Sequence, residues 1–216
     1  MTPYLLVVVG AYLLGSLPTG FLVAKAKGID IRAHGSGNIG ATNVFRILGK
    51  TAGILVLLTD ALKGAVAVLV LPQLAVGLSS GTDPIYLRLS AALCAVLGHN
   101  YTCWLRFKGG KGIATSAGVL AALVPVAFLV TLAVFFGVLA ASRYVSLASI
   151  IAALALPVAT WLSHTPKPYF WLTVVLATLA IWKHRPNLKR LFAGTESRLG
   201  SKIAPISTPP SAKEYR

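Results

Sequence analysis

Acidic side chains are scarce in this 216-residue sequence. Only 5 Asp and Glu stand against 20 Lys and Arg, which gives a formal net charge of +15. Charged residues of both signs make up 12% of the chain, about half the share in an ordinary soluble domain. In contrast, 56% of the residues are hydrophobic and the mean hydropathy is +0.78. This composition excludes a disordered chain and disfavours a soluble globule.

Cysteine is nearly absent as well, and the histidines do not lie at the intervals of a metal site. Cys94 and Cys103 are nine residues apart in an apolar segment, without a CxxC pattern, and we expect them to be packing residues. The sequence also has neither strand-like alternation nor a repeat of fixed period. It therefore predicts an all-α protein, with no cofactor and no metal.

The positive charges are concentrated in three segments. Five Lys and Arg lie in Lys25–Lys50, three in Arg106–Lys111 and eight in Lys183–Arg216. This distribution is typical of cytoplasmic loops in a multi-pass membrane protein. A nucleic-acid-binding surface would need aromatic side chains for base stacking, and apart from Trp104 and Phe107 the clusters hold few. No nucleic-acid partner is expected.

The apolar segments between these clusters predict transmembrane helices. Pro3–Ala24 contains no charge and would extend about 33 Å as a helix, enough for a hydrocarbon core of about 30 Å. No basic segment precedes it, so we expect a retained helix rather than a cleaved signal peptide. Further spans are predicted at Gly53–Leu74, Ile85–Cys103, Val145–Ser163 and Tyr169–Trp182.

The long apolar stretch Ile113–Ala141 is compatible with one kinked helix or with two helices, because Pro125 interrupts it. If all three basic clusters face the cytoplasm, an even number of crossings separates Lys111 from Lys183, which requires two helices. The predicted fold class is an all-α integral membrane protein with seven transmembrane helices, its N-terminus outside and its C-terminus cytoplasmic. Residues 1–200 are predicted to form a single membrane-embedded domain with motif loops at 25–52, 98–112 and 183–200. Residues 201–216, rich in Pro, Ser and Thr, are predicted to be a disordered tail.

The first motif loop combines glycines with polar groups that suit an anion. Its segment Gly35–Gly40 has GxGxxG spacing, but it follows a transmembrane helix rather than a strand, which argues against a dinucleotide site. Glycines let backbone N–H groups approach an anion, and polar side chains can add hydrogen bonds or a bidentate pair. The candidate side chains are Ser36, Asn38, Thr42, Asn43 and Arg46. A phosphate-bearing ligand is predicted; the alternative is a turn whose basic residues face lipid headgroups.

The second motif loop repeats this composition. Lys108-Gly109-Gly110-Lys111-Gly112 places two ammonium groups beside flexible backbone at the start of a predicted helix, whose N-terminal dipole also favours anions. Spacing alone does not decide between Lys108 and Lys111 as the anion ligand. His99 is either a general base or a hydrogen-bonded interfacial histidine.

The third motif segment, Lys183–Glu196, is strongly basic, which is typical of a positive-inside membrane anchor. Glu196 is the only acidic residue between Lys183 and Lys213. We therefore expect it to pair with a loop arginine and to orient that arginine for a ligand. Inside the second span, Asp60 and Lys63 lie at positions i and i+3 and are expected to form a buried structural pair.

In combination, these motifs resemble one known family. They are Gly35–Asn43, then Gly98–Asn100 with Phe107–Gly112, then His184–Asn187 with Gly194–Glu196, accompanied by Asp60–Gly64 and Arg143–Ser146. Over nearly its whole length the chain is similar to the PlsY-type bacterial acyl-phosphate:glycerol-3-phosphate acyltransferases. The resemblance implies a compact seven-helix bundle in the bacterial inner membrane with its active site on the cytoplasmic side.

The resemblance further implies an activity: transfer of a fatty acyl group from acyl phosphate to the sn-1 hydroxyl of glycerol 3-phosphate, which starts phospholipid synthesis. The implied partners are these two substrates and membrane lipid. By position, the implied catalytic residues are Ser36, Arg46, His184, Asn187 and Glu196. The implied substrate-binding residues are Gly35, Gly37, Asn38, Thr42, Asn43, His99, Lys108, Gly109, Gly110, Lys111, Gly112 and Ser146, of which the glycines of the second loop would cradle the acyl phosphate.

Two further observations bear on the donor and on the class of protein. Neither His99 nor His184 has an Asp four or five residues later, so the HxxxxD pair of another large acyltransferase group is missing. The donor is therefore not assumed to be acyl-CoA or acyl-carrier protein. A transporter of an anionic metabolite is the alternative function, but such proteins use inverted repeats and midplane sites, and this sequence shows no repeat.

Overall fold

The computed structural model describes residues 2–76 and 83–201. Within these ranges the regular structure is entirely helical, which confirms the predicted all-α class. The helices are α1 (Thr2–Ser16), α2 (Thr19–Lys25), α3 (Ala41–Leu48), α4 (Lys50–Leu69), α5 (Leu71–Val76), α6 (Pro84–Asn100), α7 (Ile113–Leu123), α8 (Pro125–Ser142), α9 (Val145–Leu162), α10 (Lys167–Lys183) and α11 (Arg185–Phe192). Except for Ser201, the tail predicted to be disordered lies outside the described residues.

Prolines account for most differences between predicted and observed helix boundaries. The first predicted span is divided into α1 and α2 at Pro18, which has no N–H to donate. The second begins at Lys50 and is divided near Pro72 into α4 and α5. The break predicted at Pro125 is present, because α7 ends at Leu123 and α8 begins at Pro125.

Four segments are long and apolar enough to cross a membrane: Pro3–Lys25, Lys50–Val76, Pro125–Ser142 and Val145–Leu162. Helices α6 and α10 have 17 residues each, and α7 has 11. Length and hydropathy therefore establish four candidate spans in the described part of the chain, and the count of seven crossings stays a prediction.

Glycines let two pairs of helices approach closely. Helix α1 packs on α6, and α4 packs on α7. At each crossing a Cβ on the glycine would collide with a backbone carbonyl of the other helix; the pairs are Gly15–Ala95, Gly98–Tyr12, Gly64–Thr115 and Gly118–Ala61. Small residues at helix contacts are the usual way in which membrane helices pack, since lipid gives little hydrophobic drive to associate.

Helix α8 lies at the edge of the bundle, where it packs mainly on α9. Only 6% of the Pro125–Ser142 segment is buried within the protein, against 50% of Val145–Leu162. Because α8 is apolar all round and faces outward, its exposed side suits lipid rather than water. The space between α8 and its neighbours adjoins the candidate site.

Candidate active site

The three motif loops meet in one cleft with a volume of about 150 Å³. Twelve of the residues expected from the sequence line it: Ser36, Asn38, Thr42, Asn43, Arg46, His99, Lys111, Gly112, Ser146, His184, Asn187 and Glu196. The other five expected residues, Gly35, Gly37, Lys108, Gly109 and Gly110, are not among those that line it. Residues far apart in sequence are thus brought together by the bundle.

A single side chain organises the first loop. Asn43 is 2% exposed, and its Nδ2 donates to the carbonyl oxygens of Ile31, His34 and Asn38 at 3.3, 3.0 and 2.9 Å. Its Oδ1 accepts a hydrogen bond from the Ser36 N–H at 2.9 Å. Asn43 lines the cleft, but these bonds commit its amide to holding the loop.

The glycines of the first loop shape the backbone. Gly35 and Gly37 have φ angles of 58° and 69°, in the left-handed region that glycine adopts without steric cost. A Cβ at Gly35 would also collide with Oδ1 of Asn43. These two glycines therefore let the loop fold around Asn43, although they do not line the cleft.

The glycines of the second loop pack on the end of α6. The N–H of Gly109 donates to the carbonyl of Asn100 at 3.2 Å, and the N–H of Gly110 donates to that of His99 at 3.0 Å. A Cβ at Gly110 would collide with Nε2 of His99. Both N–H groups are therefore engaged by α6 rather than free for a phosphate. Gly112, with φ at 78°, lines the cleft just before α7.

Of the two lysines in the second loop, Lys111 lies in the cleft and Lys108 is exposed. Nζ of Lys111 donates to Oδ1 of Asn187 at 2.6 Å. Burial lowers the pKa of Lys111 to about 8. The charge of Glu196 raises this pKa, and the charges of Arg190 and Arg46 lower it further. The tertiary structure thus separates two residues that sequence spacing left equivalent.

Glu196 clamps the third motif to the rest of the cleft. Its Oε1 accepts hydrogen bonds from Ser146 Oγ at 2.8 Å and Asn187 Nδ2 at 2.7 Å, and its Oε2 accepts one from Arg190 Nε at 2.7 Å. Burial alone would raise the pKa of Glu196, but these hydrogen bonds and the Arg190 charge bring it below its ordinary value. The carboxylate is therefore ionised, and it pairs with an arginine as expected.

His184 presents one ring nitrogen to the cleft. The residue is 2% exposed, and its Nδ1 lies 2.7 Å from the carbonyl oxygen of Ala180. Because a carbonyl can only accept, Nδ1 carries the proton and Nε2 is left for a ligand. Burial, reinforced by the Lys111 charge, lowers the pKa of His184 to about 4, so the ring is neutral at neutral pH.

Arg46 lies on α3 and reaches the cleft from the first loop. Its Nη2 donates to the carbonyl oxygen of Ser197 at 2.9 Å. Its Nε is buried and has no hydrogen-bond partner among the described residues. Since an unsatisfied buried donor is costly, an acceptor in the cleft would stabilise this nitrogen.

A buried ionic cluster of Asp60, Lys63 and His99 adjoins the cleft. Nζ of Lys63 lies 2.8 Å from Oδ1 of Asp60, so the predicted pair forms, and it also donates to the Leu17 carbonyl oxygen at 2.8 Å. Nδ1 of His99 lies 3.6 Å from the same carboxylate oxygen. Asp60 and His99 line the cleft, whereas the sequence favours a buried structural pair for Asp60 over contact with a ligand. The signal for it was an ionisable residue inside a predicted span.

An apolar groove of about 100 Å³ adjoins the cleft. The two share Ile113, Phe135 and Ser149 as wall residues. The groove runs between α7, α8, α9 and α10, and the sequence did not predict it because its residues come from four separate helices. The rest of its wall is Ser116, Ala117, Leu120, Phe128, Thr131, Leu132, Ala152, Ala153, Leu156, Leu176, Ala177 and Ala180.

Most of the chain is similar in sequence to glycerol-3-phosphate acyltransferases. The family model described as glycerol-3-phosphate acyltransferase matches residues 5–194. A glycerol-3-phosphate acyltransferase of Geobacter metallireducens is 54% identical over 195 residues, covering 90% of this chain and 96% of that protein. One of Geotalea daltonii is 48% identical over 197 residues, covering 91% and 98%.

Solved structures agree with this assignment. The crystal structure of PlsY, an integral membrane glycerol 3-phosphate acyltransferase, in its glycerol 3-phosphate form superposes with a TM-score of 0.82 at 41% identity, covering 91% of this chain and 96% of that one. The lysophosphatidic acid form gives a TM-score of 0.81 at the same identity. Sequence, fold and the convergence of the three motif loops agree, and this integral membrane chain belongs to the PlsY-type glycerol-3-phosphate acyltransferase family.

Proposed function

We propose that this protein transfers a fatty acyl group from acyl phosphate to the sn-1 hydroxyl of glycerol 3-phosphate, giving 1-acyl-glycerol 3-phosphate and phosphate. The observation that carries the proposal is the cation-lined cleft that shares walls with an apolar groove. The cleft suits two phosphate groups, and the groove suits a hydrocarbon chain. One acyl phosphate has both parts, and its reacting carbonyl would lie where cleft and groove meet.

The chemistry requires positioning and charge neutralisation rather than a covalent enzyme intermediate. Acyl phosphate is a mixed anhydride with a good leaving group. The glycerol hydroxyl oxygen attacks the acyl carbon, the bond from that carbon to the phosphate oxygen breaks, and the hydroxyl proton leaves with the released phosphate. Holding the two substrates in contact supplies much of the rate enhancement, and fixed cations stabilise the charge on the leaving phosphate.

Six cleft residues have a role in this scheme. Arg46 and Lys111 bind phosphate oxygens, and the Ser36 hydroxyl adds a hydrogen bond. Nε2 of His184 and the side chain of Asn187 hold glycerol 3-phosphate. Glu196 keeps Asn187 in place, since the two side chains are 2.7 Å apart.

The donor is inferred from what the site is built to bind. The motifs that carry the family resemblance are those of acyl-phosphate-dependent enzymes, and the HxxxxD pair is missing at both His99 and His184. Leu120, Phe128 and Leu156 are among the apolar side chains that line the groove, which suits the acyl tail. Membrane lipid is the environment from which such a donor would enter.

The shared cleft bears on the membrane topology, because all three motif loops must lie on the same side of the membrane. Because the three motif loops share one cleft, an even number of crossings lies between each pair of loops. One crossing by α1 and α2, two by α4 to α6, and four by α7 to α10 give seven. The basic charge of the loops supports a cleft on the cytoplasmic side of a bacterial inner membrane, with the N-terminus outside.

Product analysis of the purified protein tests this function. Acyl phosphate and glycerol 3-phosphate are incubated with the protein in the presence of a chelator, and NMR distinguishes 1-acyl from 2-acyl products. We expect equal amounts of 1-acyl-glycerol 3-phosphate and phosphate. Activity seen only with acyl-CoA or acyl-carrier protein would contradict the donor. Uptake of glycerol 3-phosphate into proteoliposomes without acylation would favour a transporter.

Labelling of single cysteines tests the topology. In a background without Cys94 and Cys103, cysteines at positions 36, 111 and 196 are expected to react only from the cytoplasmic side. A cysteine at position 166, in the turn between α9 and α10, is expected to react from outside. External labelling at position 111 would refute the seven-crossing arrangement.

A further inference from the structure

The segment after the third motif ties two distant parts of the cleft together. We call residues 195–200 the strap. The carbonyl oxygen of Ser197 accepts a hydrogen bond from Arg46 Nη2 at 2.9 Å. Two residues later, the N–H of Leu199 donates to the carbonyl of Arg143 at 2.7 Å, and Nη2 of Arg143 donates to the carbonyl of Leu199 at 3.0 Å. The strap is thus held at one point by α3 and at another by the turn between α8 and α9.

Arg143 is itself an unusual residue at this turn. Its φ is 62°, in the left-handed region that costs little for glycine but more for a residue with a side chain. The neighbouring strap residue Gly200 has φ at 83°, and a Cβ there would lie 3.2 Å from Nη2 of Arg143. The guanidinium of Arg198 lies 5.2 Å from the ring centre of Tyr144, next to Arg143. Several contacts therefore converge on the same point of the strap.

The other end of the strap bears on phosphate binding. A guanidinium binds phosphate best as a planar fork with a fixed direction. The orientation of Arg46 depends on Ser197, because this carbonyl accepts from one of its terminal nitrogens while Nε stays buried without a partner among the described residues. If the strap moved, Arg46 would lose its hydrogen bond to Ser197, and its guanidinium would no longer be fixed in its orientation toward the cleft.

We infer that Arg143 is a positioning residue: by holding Leu199 it fixes the strap, and through Ser197 it orients the guanidinium of Arg46 for substrate phosphate. Arg143 lines neither the cleft nor the apolar groove, so it acts through Arg46 rather than on substrate. The inference rests on the proposed role of Arg46 as a phosphate ligand.

A double-mutant cycle on the full-length protein tests it. Arg143→Gly removes the side chain and relaxes the backbone, so folding is not expected to suffer. Kinetics with acyl phosphate and glycerol 3-phosphate are measured for Arg143→Gly, Arg46→Lys and the double variant. We expect Arg143→Gly to raise KM for glycerol 3-phosphate by about 3- to 20-fold, the range for one lost hydrogen bond, with a smaller change in kcat. In the Arg46→Lys background the same substitution is expected to have almost no further effect.

Arg106→Gly is the matched control. Arg106 is also an exposed arginine with positive φ, at 53°, but it is not part of the strap or of the cleft lining. Its substitution is expected to leave both kinetic constants unchanged. Arg143→Asn, whose side chain tolerates this backbone, repeats the test if the glycine variant loosens the turn.

The outcomes separate the two proposals. If Arg46→Lys is defective and Arg143→Gly multiplies that defect in the double variant, Arg143 acts independently of Arg46 and the inference is wrong, whereas the proposed function stands. If Arg143→Gly and Arg143→Asn both keep the normal KM, the inference is also wrong. If Arg46→Lys behaves as the unchanged protein, the proposed role of Arg46 fails and the inference fails with it.

Discussion

The first and second motif loops are both rich in glycine, but they are held in place in different ways. The first is folded around the amide of Asn43, which makes hydrogen bonds to four residues of the loop. The second is tied to main-chain carbonyls of His99 and Asn100 at the end of α6. One substitution can therefore remove the support of the first loop, whereas the main-chain contacts of the second loop with α6 are tested by filling the space that its glycines leave.

Asn43→Asp is expected to have the largest effect, because it removes the hydrogen bonds that support the first loop. The Asp side chain has nearly the same shape as the Asn side chain, so the substitution changes hydrogen bonding and charge rather than shape. The carboxylate cannot donate to the carbonyl oxygens that Nδ2 now binds, and each buried group left unsatisfied costs about 1–3 kcal/mol. We expect kcat/KM to fall by about 100-fold or more at matched amounts of folded protein. Normal kinetics would mean that the loop does not depend on this amide.

Arg46→Lys keeps the charge of the first loop but removes the guanidinium fork that is proposed to bind phosphate bidentately. Loss of a hydrogen bond to a charged group is worth about 1.5–3 kcal/mol, so kcat/KM is expected to fall by roughly 10- to 150-fold. Ser36→Ala is expected to fall in the same range. Near-native kinetics for both variants would remove the first loop from the site and favour its interpretation as a contact for lipid headgroups.

Gly110→Ala tests the main-chain contact between the second loop and the end of α6. The added Cβ would collide with Nε2 of the buried His99, and overpacking of this kind costs about 1–3 kcal/mol. We expect kcat/KM to fall by about 10- to 100-fold. Gly137→Ala is the control, because a Cβ at this α8 position meets no atom within 4 Å. A harmless Gly110→Ala would show that His99 and the loop are free to separate.

The pH dependence of the reaction sharpens the role of Lys111. Its pKa of about 8 means that the ammonium charge is present below pH 8 and is lost above it. We expect kcat/KM to decline above pH 8, approaching about tenfold per pH unit. In Lys111→Arg the decline is expected to move to higher pH, because guanidinium stays charged. His184 is already neutral above its pKa of about 4. Its titration is therefore not expected to change kcat/KM between about pH 6 and pH 8.

Lys108→Ala is expected to have the smallest effect, within about threefold in kcat/KM, because exposed charges contribute little. Lys111→Ala, at the other lysine of the loop, is the contrasting variant and is expected to lose activity as strongly as Arg46→Lys. Equal defects in the two lysine variants would show that both ammonium groups reach the substrate.

Much of the fold was predictable from the sequence. The all-α class followed from apolar segments of helical length without strand alternation, and the break at Pro125 followed from the missing N–H of proline and from the charge bias of the loops. The division of the first span at Pro18 was missed, because a proline near the end of an apolar run is compatible with a kinked helix as well as with two helices.

The candidate site was predictable in composition but not in detail. Arg46, His184 and Glu196 were predicted as site residues because they belong to the motif loops, and all three line the cleft. The commitment of Asn43 to its own loop could not be foreseen, since the same amide could equally have bound a ligand. The position of Asp60 in the cleft lining depends on the packing of α4 against other helices.

By itself the sequence determined the apolar spans, the three basic loops and the residue types that suit phosphate, because hydropathy and charge act locally along the chain. Only the tertiary structure decided that Lys111 rather than Lys108 lies in the cleft, that an apolar groove adjoins it, and that Arg143 meets the strap. These arrangements depend on how helices distant in sequence pack together and on the backbone angles of loop residues. The spacing of residues along the chain predicts neither the packing of distant helices nor the backbone angles of the loops.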